Sequence, residues 1–381
     1  MGWRPTWMEV DHSALGANFR AVRSYVGPRC QVLAVVKADA YGLGAVDVAR
    51  TLVAAGCQRL AVATPDEAAA LRDGGVSDDV LVLGPSPCEA ASLYVAEGIA
   101  STVTDLAFAK ALSDEAQRQG RPARVHIKVD TGMGRLGFLP DEIPSVMESL
   151  LALPGLDVEG LFTHFAAADE ADGVYTQTQF RRFGDVLDAL RDEGIGFRLR
   201  HCCNSAAILA HKEMHLDAVR PGLILYGMWP STPGPRPITL RPVFQVKSRI
   251  ALIRQLPPSS GVSYGLNYMT RGQERFAVVP VGYHDGYRRA LSGRARVLIR
   301  GRRVPVVGTI CMDQTLVNVT ALPEAQVGDE VVLIGSQGSE TISPEEIASL
   351  LGTINYEVPG FFTPRVPRVA VRTESEGGRG L

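Results

Sequence analysis

The sequence has almost no net charge, so a large polyanionic partner would have little to recognise. Its 39 Lys and Arg residues nearly balance 41 Asp and Glu residues, which gives a formal charge of −2. A nucleic-acid binder, or a protein that docks on anionic lipid, needs a concentrated basic surface. We therefore expect no nucleic-acid partner and no membrane partner. Any basic contribution to binding must be local, as at a single phosphate group.

Long apolar runs and paired cysteines are also missing. No stretch approaches the length that a helix needs to span a bilayer, and residues 1–7 lack the apolar core of a signal peptide. The six cysteines are scattered without metal-ligand spacing, and the adjacent Cys202 and Cys203 are poorly placed for an ordinary disulfide. Reduced thiols in a cytoplasmic protein are the simplest interpretation, and we expect no metal.

The length of 381 residues predicts two domains, each with its own core. Up to about residue 228, eight short β-rich runs alternate with helical patterns, which is typical of an α/β fold. Eight βα repeats favour a TIM-type (β/α)8 barrel, with a doubly wound parallel sheet as the alternative. The predicted strands are Gln31–Val36, Arg59–Ala63, Val80–Leu83, Ile99–Val103, Arg124–Val129, Val158–Phe162, Phe197–Arg200 and Ala218–Leu225.

The pattern changes after a proline-rich segment, residues 230–237, which we interpret as a linker. Beyond it, β-branched runs and glycine turns predict a mainly-β C-terminal domain with one helix, which begins at the capping box Ser343–Glu346. We therefore place the barrel domain at residues 1–236 and the β domain at residues 237–381, with a disordered tail from Thr373. The predicted β regions are Val243–Leu256, Arg275–Val281, Arg294–Val307, Gln314–Val319 and Glu330–Ile334.

Polar residues fall at the carboxyl ends of the predicted barrel strands, where TIM barrels place their active sites. Lys37 ends an apolar run, and burial of its amine would lower the pKa, so that the neutral amine could attack a carbonyl carbon. A lysine in this position can equally be a solvated strand cap. The other residues after strand ends are Tyr41, Lys128, Asp130, Arg135, His164, His201, Asn204 and Ser205, and Arg220 and Gly222 lie within the region of the eighth predicted strand.

From the residues alone, two interpretations of this edge stay open. The histidines could be satisfied interior residues and Arg220 a structural ion pair, whereas their shared placement favours a site for a small phosphate or carboxylate ligand. Ser205 begins a predicted helix, which would offer a hydroxyl and backbone amides to an oxyanion. In the second domain, Tyr264 and Met312 lie in dense clusters of small and polar residues, although both residue types usually only pack in β domains.

Nearly the whole chain, from Pro5 to Arg368, resembles the alanine racemases. This family consists of enzymes that use pyridoxal 5'-phosphate (PLP) and have an N-terminal barrel and a C-terminal β domain. Chance agreement in order over so many motifs is implausible. The motifs are VKADAYG (36–42), KVDTGMGRLGF (128–138), LFTHFA (161–166), NSAA (204–207), VRPG (219–222), VSYG (262–265), GTICMDQ (308–314) and INYEVPG (354–360).

The resemblance implies an isomerase that interconverts L- and D-alanine and supplies D-alanine for peptidoglycan. Lys37 would hold PLP covalently and act as a base on one face of the substrate Cα. Tyr264, from the second subunit of a homodimer, would be the base on the opposite face, because one fixed group cannot easily reach both faces. In the family, His164 and Arg135 lie near this tyrosine, where positive partners would favour the phenolate.

The resemblance also implies the remaining ligand contacts. Arg220 would face the pyridine nitrogen, where a guanidinium donates a hydrogen bond and opposes protonation of the ring. Arg135 and Met312 would bind the substrate, and Lys128 matches a lysine that some members carry as a carbamate. Tyr41, Ser205, Tyr356 and the Gly222–Leu223 backbone would grip the phosphate. The full implied cofactor set is Lys37, Tyr41, His164, Asn204, Ser205, Arg220, Gly222, Leu223 and Tyr356.

Departures from the family pattern bear on the substrate. Thr309 replaces a frequent arginine, and His284 replaces a small residue. The second change is either neutral drift or a change in preference among alanine, serine and other amino acids. The rival interpretations are a racemase of broader specificity, a barrel-type PLP decarboxylase and a non-catalytic PLP carrier. Arg220 and Tyr264 disfavour the decarboxylase, and the β domain disfavours the carrier.

Overall fold

The computed structural model describes residues 4–170, 172–230, 234 and 236–372. Within these residues the chain divides into two compact units. The barrel unit comprises Leu15–Ala40 and Gly44–Arg241, and the β unit comprises the segments up to Ala14, Tyr41–Leu43 and from Pro242 onward.

The barrel unit is built on a closed barrel of eight parallel strands, which follows strand β1 (Thr6–Asp11) and helix α1 (His12–Val26). This closure confirms the predicted TIM-type barrel and excludes the doubly wound sheet. Buried aliphatic runs such as Val32–Val35 form these strands because both faces of a parallel sheet are covered. The strands are β2 (Gln31–Val35), β3 (Arg59–Val62), β4 (Asp79–Val82), β5 (Ala100–Val103), β6 (Ala123–Lys128), β7 (Leu156–Phe162), β8 (Leu199–His201) and β9 (Ala218–Val219).

Some of the helices between these strands begin at side-chain caps. Oγ1 of Thr64 accepts a hydrogen bond from the Glu67 amide, and Oδ1 of Asp105 accepts one from the Phe108 amide. These caps satisfy amides that have no partner inside the helix. The helices are α2 (Lys37–Gly42), α3 (Ala45–Ala54), α4 (Pro65–Asp73), α5 (Ala91–Ala96), α6 (Leu106–Gln119), α7 (Ile143–Leu151), α8 (Val174–Asp192) and α9 (Ser205–Ala210).

The last two barrel strands differ from their predicted limits. β9 ends at Val219, not at Leu225, because Pro221 has no N–H to donate and residues Leu223–Tyr226 form a 3-10 helix instead. β8 begins at Leu199, two residues after its predicted start at Phe197. As a result, Arg220 and Gly222 follow the strand and lie on its carboxyl side.

The β unit contains a ten-stranded sheet, a separate two-stranded sheet and helix α10 (Pro344–Leu351), which confirms the mainly-β prediction. The predicted region Val243–Leu256 is two strands, and Arg294–Val307 is a hairpin whose turn residues Arg300 and Gly301 both have positive φ. The strands are β10 (Phe244–Arg249), β11 (Leu252–Leu256), β12 (Gly261–Val262), β13 (Tyr268–Met269), β14 (Glu274–Val279), β15 (Arg296–Ile299), β16 (Arg302–Val307), β17 (Thr315–Asn318), β18 (Glu330–Gln337), β19 (Glu340–Ile342) and β20 (Arg368–Val371).

Strand β1 belongs to the sheet of the β unit. It pairs antiparallel with β10 and parallel with β20. The sequence-based prediction places residues 1–236 in the barrel domain. The partners of β1 lie more than two hundred residues away in the chain, so no local sequence pattern indicates that this strand pairs with the sheet of the β unit. The boundary at residue 236 stays a prediction. Residues 231–233 and 235 of the predicted linker, and the tail from Thr373, lie outside the described residues.

No helix within the described ranges is both long enough and apolar enough to cross a bilayer.

Candidate active site

The carboxyl edge of the barrel is organised around Arg220, which is almost completely buried. Its Nη1 donates to Nδ1 of His201 at 2.5 Å, and its Nη2 donates to Nδ1 of His164 at 3.0 Å. Nη2 also reaches the carbonyl oxygens of Thr163 at 2.8 Å and Cys202 at 3.0 Å. Burial lowers the pKa of the guanidinium to about 10, so it remains a cation at neutral pH. The structure therefore brings together three of the predicted residues, Arg220, His164 and His201.

His164 is a neutral partner of this guanidinium. Burial and the charge of Arg220 hold the pKa of His164 well below its ordinary value. Because a guanidinium only donates, Nδ1 of His164 must be the unprotonated nitrogen, and Nε2 carries the proton. The neutral imidazole of His164 therefore offers an N–H donor through Nε2, and its place near Tyr264 stays a prediction.

Lys37 follows β2 at the same edge, where its amine has a lowered pKa. Burial is the main cause, the charge of Arg135 adds to it, and the carboxylate of Glu67 opposes it. A lower pKa raises the fraction of neutral amine, which is the nucleophilic form. The sequence-based prediction for the strand-end lysine therefore agrees with the local electrostatics.

The turn after Lys37 is left-handed. Ala38, Asp39, Ala40 and Tyr41 all have φ between 52° and 59°, a conformation that costs roughly 1–2 kcal/mol for each L-residue. Glu67 holds this turn to the neighbouring strand, since its carboxylate accepts from the amides of Ala38 and Ala63, each at 2.7 Å. Strain of this kind is concentrated at functional sites.

Two residues predicted to bind phosphate are directly connected. Oγ of Ser205 accepts a hydrogen bond from the Gly222 amide at 3.0 Å, and Leu223 follows as the first residue of the 3-10 helix. Asn204 has a local role: its side chain caps α9 by accepting from the Ala207 amide at 3.0 Å. The structure thus brings Ser205, Gly222 and Leu223 together, with Asn204 holding the start of the helix.

The loop that carries Arg135 is fixed by one carboxylate. Oδ1 of Asp130 accepts from the amides of Gly132, Met133 and Gly134 at 2.8–3.1 Å, and its Oδ2 accepts from the Arg135 amide at 3.1 Å. The Arg135 side chain itself is exposed.

Lys128, at the end of β6, is buried and donates to the Val129 carbonyl at 2.7 Å. Burial lowers the pKa of its amine to about 8, with Asp130 opposing the shift. A partly neutral amine is a requirement for carbamate formation, but whether Lys128 carries a carbamate stays a prediction.

Tyr41 and Tyr356 form a pair within the β unit, with ring centroids 6.5 Å apart. Burial, together with Tyr356, raises the pKa of the Tyr41 hydroxyl, which is therefore a neutral donor. Their predicted contacts with a phosphate stay a prediction.

Tyr264 and Met312 lie on neighbouring loops of the β unit. The Thr309 hydroxyl donates to the Tyr264 carbonyl at 2.8 Å, and Ser263 contacts the Thr309 carbonyl. Ser263 has φ +67°, so the backbone is strained immediately before the tyrosine. The side chains of Tyr264 and Met312 are 72% and 49% exposed in the single chain. Both of these large side chains are therefore accessible to solvent in the single chain.

Sequence reasoning missed Glu67 and the backbone carbonyl of Thr163. Glu67 is the last residue of the helix-start motif Thr64–Glu67, which has the form of a capping box, so its place at the start of a helix could have been predicted from the sequence. Its contact with the Ala38 amide could not, because no local pattern indicates it. His284 is exposed, and its effect on substrate preference stays a prediction. Within the described ranges, no cluster of His, Cys, Asp and Glu side chains could hold a metal ion.

Comparison with known proteins gives matches over nearly the whole chain. Residues 10–230 match the family model described as alanine racemase, N-terminal domain, and residues 243–370 match the one described as alanine racemase, C-terminal domain. The alanine racemase of Desulfovibrio desulfuricans is 48% identical over 368 residues, which cover 97% of this chain and 98% of the relative. That of Halothermothrix orenii is 46% identical over 368 residues, with 96% of each chain covered.

Solved structures of alanine racemases are similar over the same length. The enzyme of Clostridium difficile has a TM-score of 0.91 at 39% identity and covers 98% of this chain and 97% of its own. The enzyme of Bacillus anthracis, solved with bound L-Ala-P, has a TM-score of 0.90 at 37% identity and covers 98% and 96%.

Proposed function

Because the chain belongs to the alanine racemase family, we propose that it interconverts L- and D-alanine with PLP, using Lys37 and Tyr264 as two bases. The observation that carries this proposal is the pairing of two features at the barrel edge. One is a strand-end lysine whose pKa is lowered by burial, and the other is a buried guanidinium held in place by four acceptors.

The donor set at the barrel edge fits PLP. Lys37 supplies an amine for its aldehyde, Arg220 supplies N–H groups for its ring nitrogen, and Ser205 with the Gly222–Leu223 backbone supplies donors for its phosphate. When bound, PLP withdraws electrons from the substrate and so acidifies the Cα–H bond. Tyr41 and Tyr356 are proposed to complete the phosphate contacts, and His164 and Asn204 to support them.

The remaining roles are assigned to the chain's own groups. Lys37 takes or returns a proton on one face of Cα, and Tyr264 of a second subunit takes or returns it on the other. Exposure of Tyr264 and Met312 in the single chain supports such a homodimer. Met312 and Arg135 are proposed to hold the substrate carboxylate, and a carbamate on Lys128 to orient Arg135.

The cellular role is proposed on the same family basis. The product D-alanine would enter peptidoglycan synthesis, and the six free cysteines fit a reducing cytoplasm.

The proposal is tested by incubating purified protein and PLP with L-alanine or D-alanine in D₂O. Both enantiomers should exchange the α-proton, and optical rotation should decay to zero. Tyr264→Phe should slow exchange from one enantiomer by roughly 10²- to 10⁴-fold, the range for loss of a general base, and leave the other less affected. Tyr268→Phe is the matched control, because the Tyr268 hydroxyl donates to Glu274 within the β unit.

Other outcomes would replace the proposal. Release of CO₂ would indicate a decarboxylase, and bound PLP without α-proton exchange would indicate a carrier. Turnover of L-serine equal to that of L-alanine would indicate a broader racemase. Equal exchange of both alanine enantiomers by Tyr264→Phe, near the unmodified rate, would exclude the tyrosine as a base.

A further inference from the structure

A continuous line of buried polar side chains runs from Arg220 into the barrel interior. Nε2 of His201 lies 2.9 Å from Nδ1 of His126, a hydrogen-bond distance. Nε2 of His126 lies 3.5 Å from Oε2 of Glu159, which is an electrostatic contact because neither of these two atoms makes a hydrogen bond. Oε1 of Glu159 accepts from Arg59 at 2.8 Å. Exposure of Arg220, His201, His126 and Glu159 is 3%, 0%, 1% and 3%, so all four side chains are shielded from bulk solvent.

The donor and acceptor properties of these groups determine which nitrogen of each histidine carries its proton. Arg220 can only donate, so Nδ1 of His201 holds a lone pair and Nε2 of His201 carries the proton. That proton is donated to Nδ1 of His126, which leaves the His126 proton on Nε2, facing Glu159. Burial lowers the pKa of both histidines and keeps them neutral. Although burial opposes it, His126 and Arg59 lower the pKa of Glu159 to about 2, so it is ionised.

The pairing of strands β6 and β7 is irregular where these side chains lie. The register between β6 and β7 shifts at this point: Val125 pairs with Val158, but His126 pairs with Gly160, so Glu159 is an extra residue. Such a bulge redirects a side chain. A Cβ on Gly160 would lie 2.3 Å from Nδ1 of His126, so only glycine leaves room for the ring.

A further contact fixes the second histidine of the line. Phe162 stacks on His201, with ring centroids 4.7 Å apart and an interplanar angle of 12°. The bulge, the glycine and the stacked ring together hold the two imidazoles in one orientation.

We propose that Glu159 and His126 are positioning residues that fix the tautomer of His201 and thereby hold Arg220 as a hydrogen-bond donor toward a heteroaromatic ring nitrogen. The inference rests on the proposed role of Arg220 toward PLP. If His126 offers no acceptor, the Nε2 proton of His201 is buried without a partner. Moving that proton to Nδ1 sets an N–H against the guanidinium, and Arg220 loses this contact.

The test compares His126→Leu with His126→Asn. The asparagine amide oxygen can accept from Nε2 of His201 in place of Nδ1 of the imidazole, whereas leucine cannot. The first readout is the ¹⁵N NMR spectrum of histidine-labelled full-length protein without PLP. In the unmodified protein and in His126→Asn, His201 should show an unprotonated Nδ1. In His126→Leu, the proton should move to Nδ1 or be shared between the nitrogens.

The second readout is the dissociation constant of PLP, measured by its absorbance without substrate. His126→Leu should weaken PLP binding roughly 10- to 100-fold, as expected for loss of one charge-assisted hydrogen bond, and His126→Asn should restore most of it. A protonated Nδ1 on His201 in the unmodified protein would overturn the inference even if no variant folds. So would an unchanged tautomer and unchanged PLP affinity in His126→Leu. If the unmodified protein does not bind PLP, the proposed function fails, while the tautomers still decide the inference about the line.

Discussion

At the scale of single residues, the ionised state of Glu159 makes a contribution to stability that depends on pH. Its pKa of about 2 in the folded chain lies below the value near ~4.3 of an unfolded glutamate. A carboxyl group with a depressed folded pKa stabilises the native state above the unfolded pKa and loses that contribution as the pH falls toward the folded pKa. The size is on the order of 2–3 kcal/mol.

We therefore expect Glu159→Gln to lower the free energy of unfolding at neutral pH, with a gap to the unmodified protein that narrows as the pH falls from about 5 to about 3. Urea unfolding at a series of pH values measures this gap. Glu148→Gln, at an exposed position on α7, should show a small gap at every pH. A gap for Glu159→Gln that stays constant or widens in acid would contradict the assignment of an ionised, buried carboxylate.

The site residues that could be predicted share a simple signal, which is a polar side chain directly after an apolar strand. Lys37 has this signal and lies at the barrel edge, whereas Arg220 was predicted inside a strand and follows β9 because that strand ends at Val219. His126 and Glu159 lacked it, because each stands inside a β-rich run, where alternation alone does not distinguish the interior of a closed barrel from its outer face. Their partners come from different strands, so only the closed barrel reveals the contact.

At the scale of elements, we expect glycine-to-alanine substitutions at two positions to change the stability of the protein in opposite directions. Gly160 in β7 has no space for a Cβ, which would meet His126 and the Leu199 carbonyl at 2.3 and 2.9 Å. Gly160→Ala should therefore destabilise the protein by roughly 1–3 kcal/mol, as overpacked cores do. Gly184 lies within α8, and no atom lies within 4 Å of the position that a Cβ would occupy there. Gly184→Ala should stabilise by about 0.5–1 kcal/mol, because alanine restricts the unfolded chain and favours the helix.

Thermal unfolding of the two variants beside the unmodified protein measures both effects. If Gly160→Ala melted at the same temperature as the unmodified protein, the barrel wall would have to accommodate the methyl group, and the close packing of His126 against β7 would be wrong.

Element types were predictable to the extent that they are locally encoded. The cap at Ser343 gave a correct helix start, since a capping side chain contacts an amide only three residues away. The short β9 was not predicted, although Pro221 was visible, because the apolar run continues through Leu225. Nothing in the sequence Ala-Asp-Ala-Tyr predicts four positive φ angles, since tertiary contacts such as that from Glu67 impose them.

At the scale of the whole molecule, shared active sites predict complementation between two inactive variants. Lys37→Ala and Tyr264→Phe each remove one of the two proposed bases. If every site takes its lysine from one subunit and its tyrosine from the other, a mixed dimer has one intact site and one doubly altered site. Coexpression in equal amounts should then give about a quarter of the unmodified number of sites, because half of the dimers are mixed.

Differently tagged copies of the two variants allow the mixed dimer to be purified and its racemase rate to be measured. Each variant alone provides the baseline. A mixed dimer no faster than its two parents would mean that both bases come from the same chain, or that the chain works as a monomer. The single-chain sequence could suggest this arrangement only by resemblance, because an exposed tyrosine in one chain does not identify what covers it.

The turn after Lys37 has a consequence for chemical synthesis of the protein. Ribosomes supply only L-residues, and at exposed Ala38 the chain adopts φ +53°, which places the methyl group of an L-residue in steric conflict with its own backbone. The mirror-image amino acid reverses that preference. A semisynthetic chain with D-alanine ligated in at this position would keep its shape with less strain, so the product of the proposed reaction would suit the enzyme's own backbone better than the residue its gene encodes.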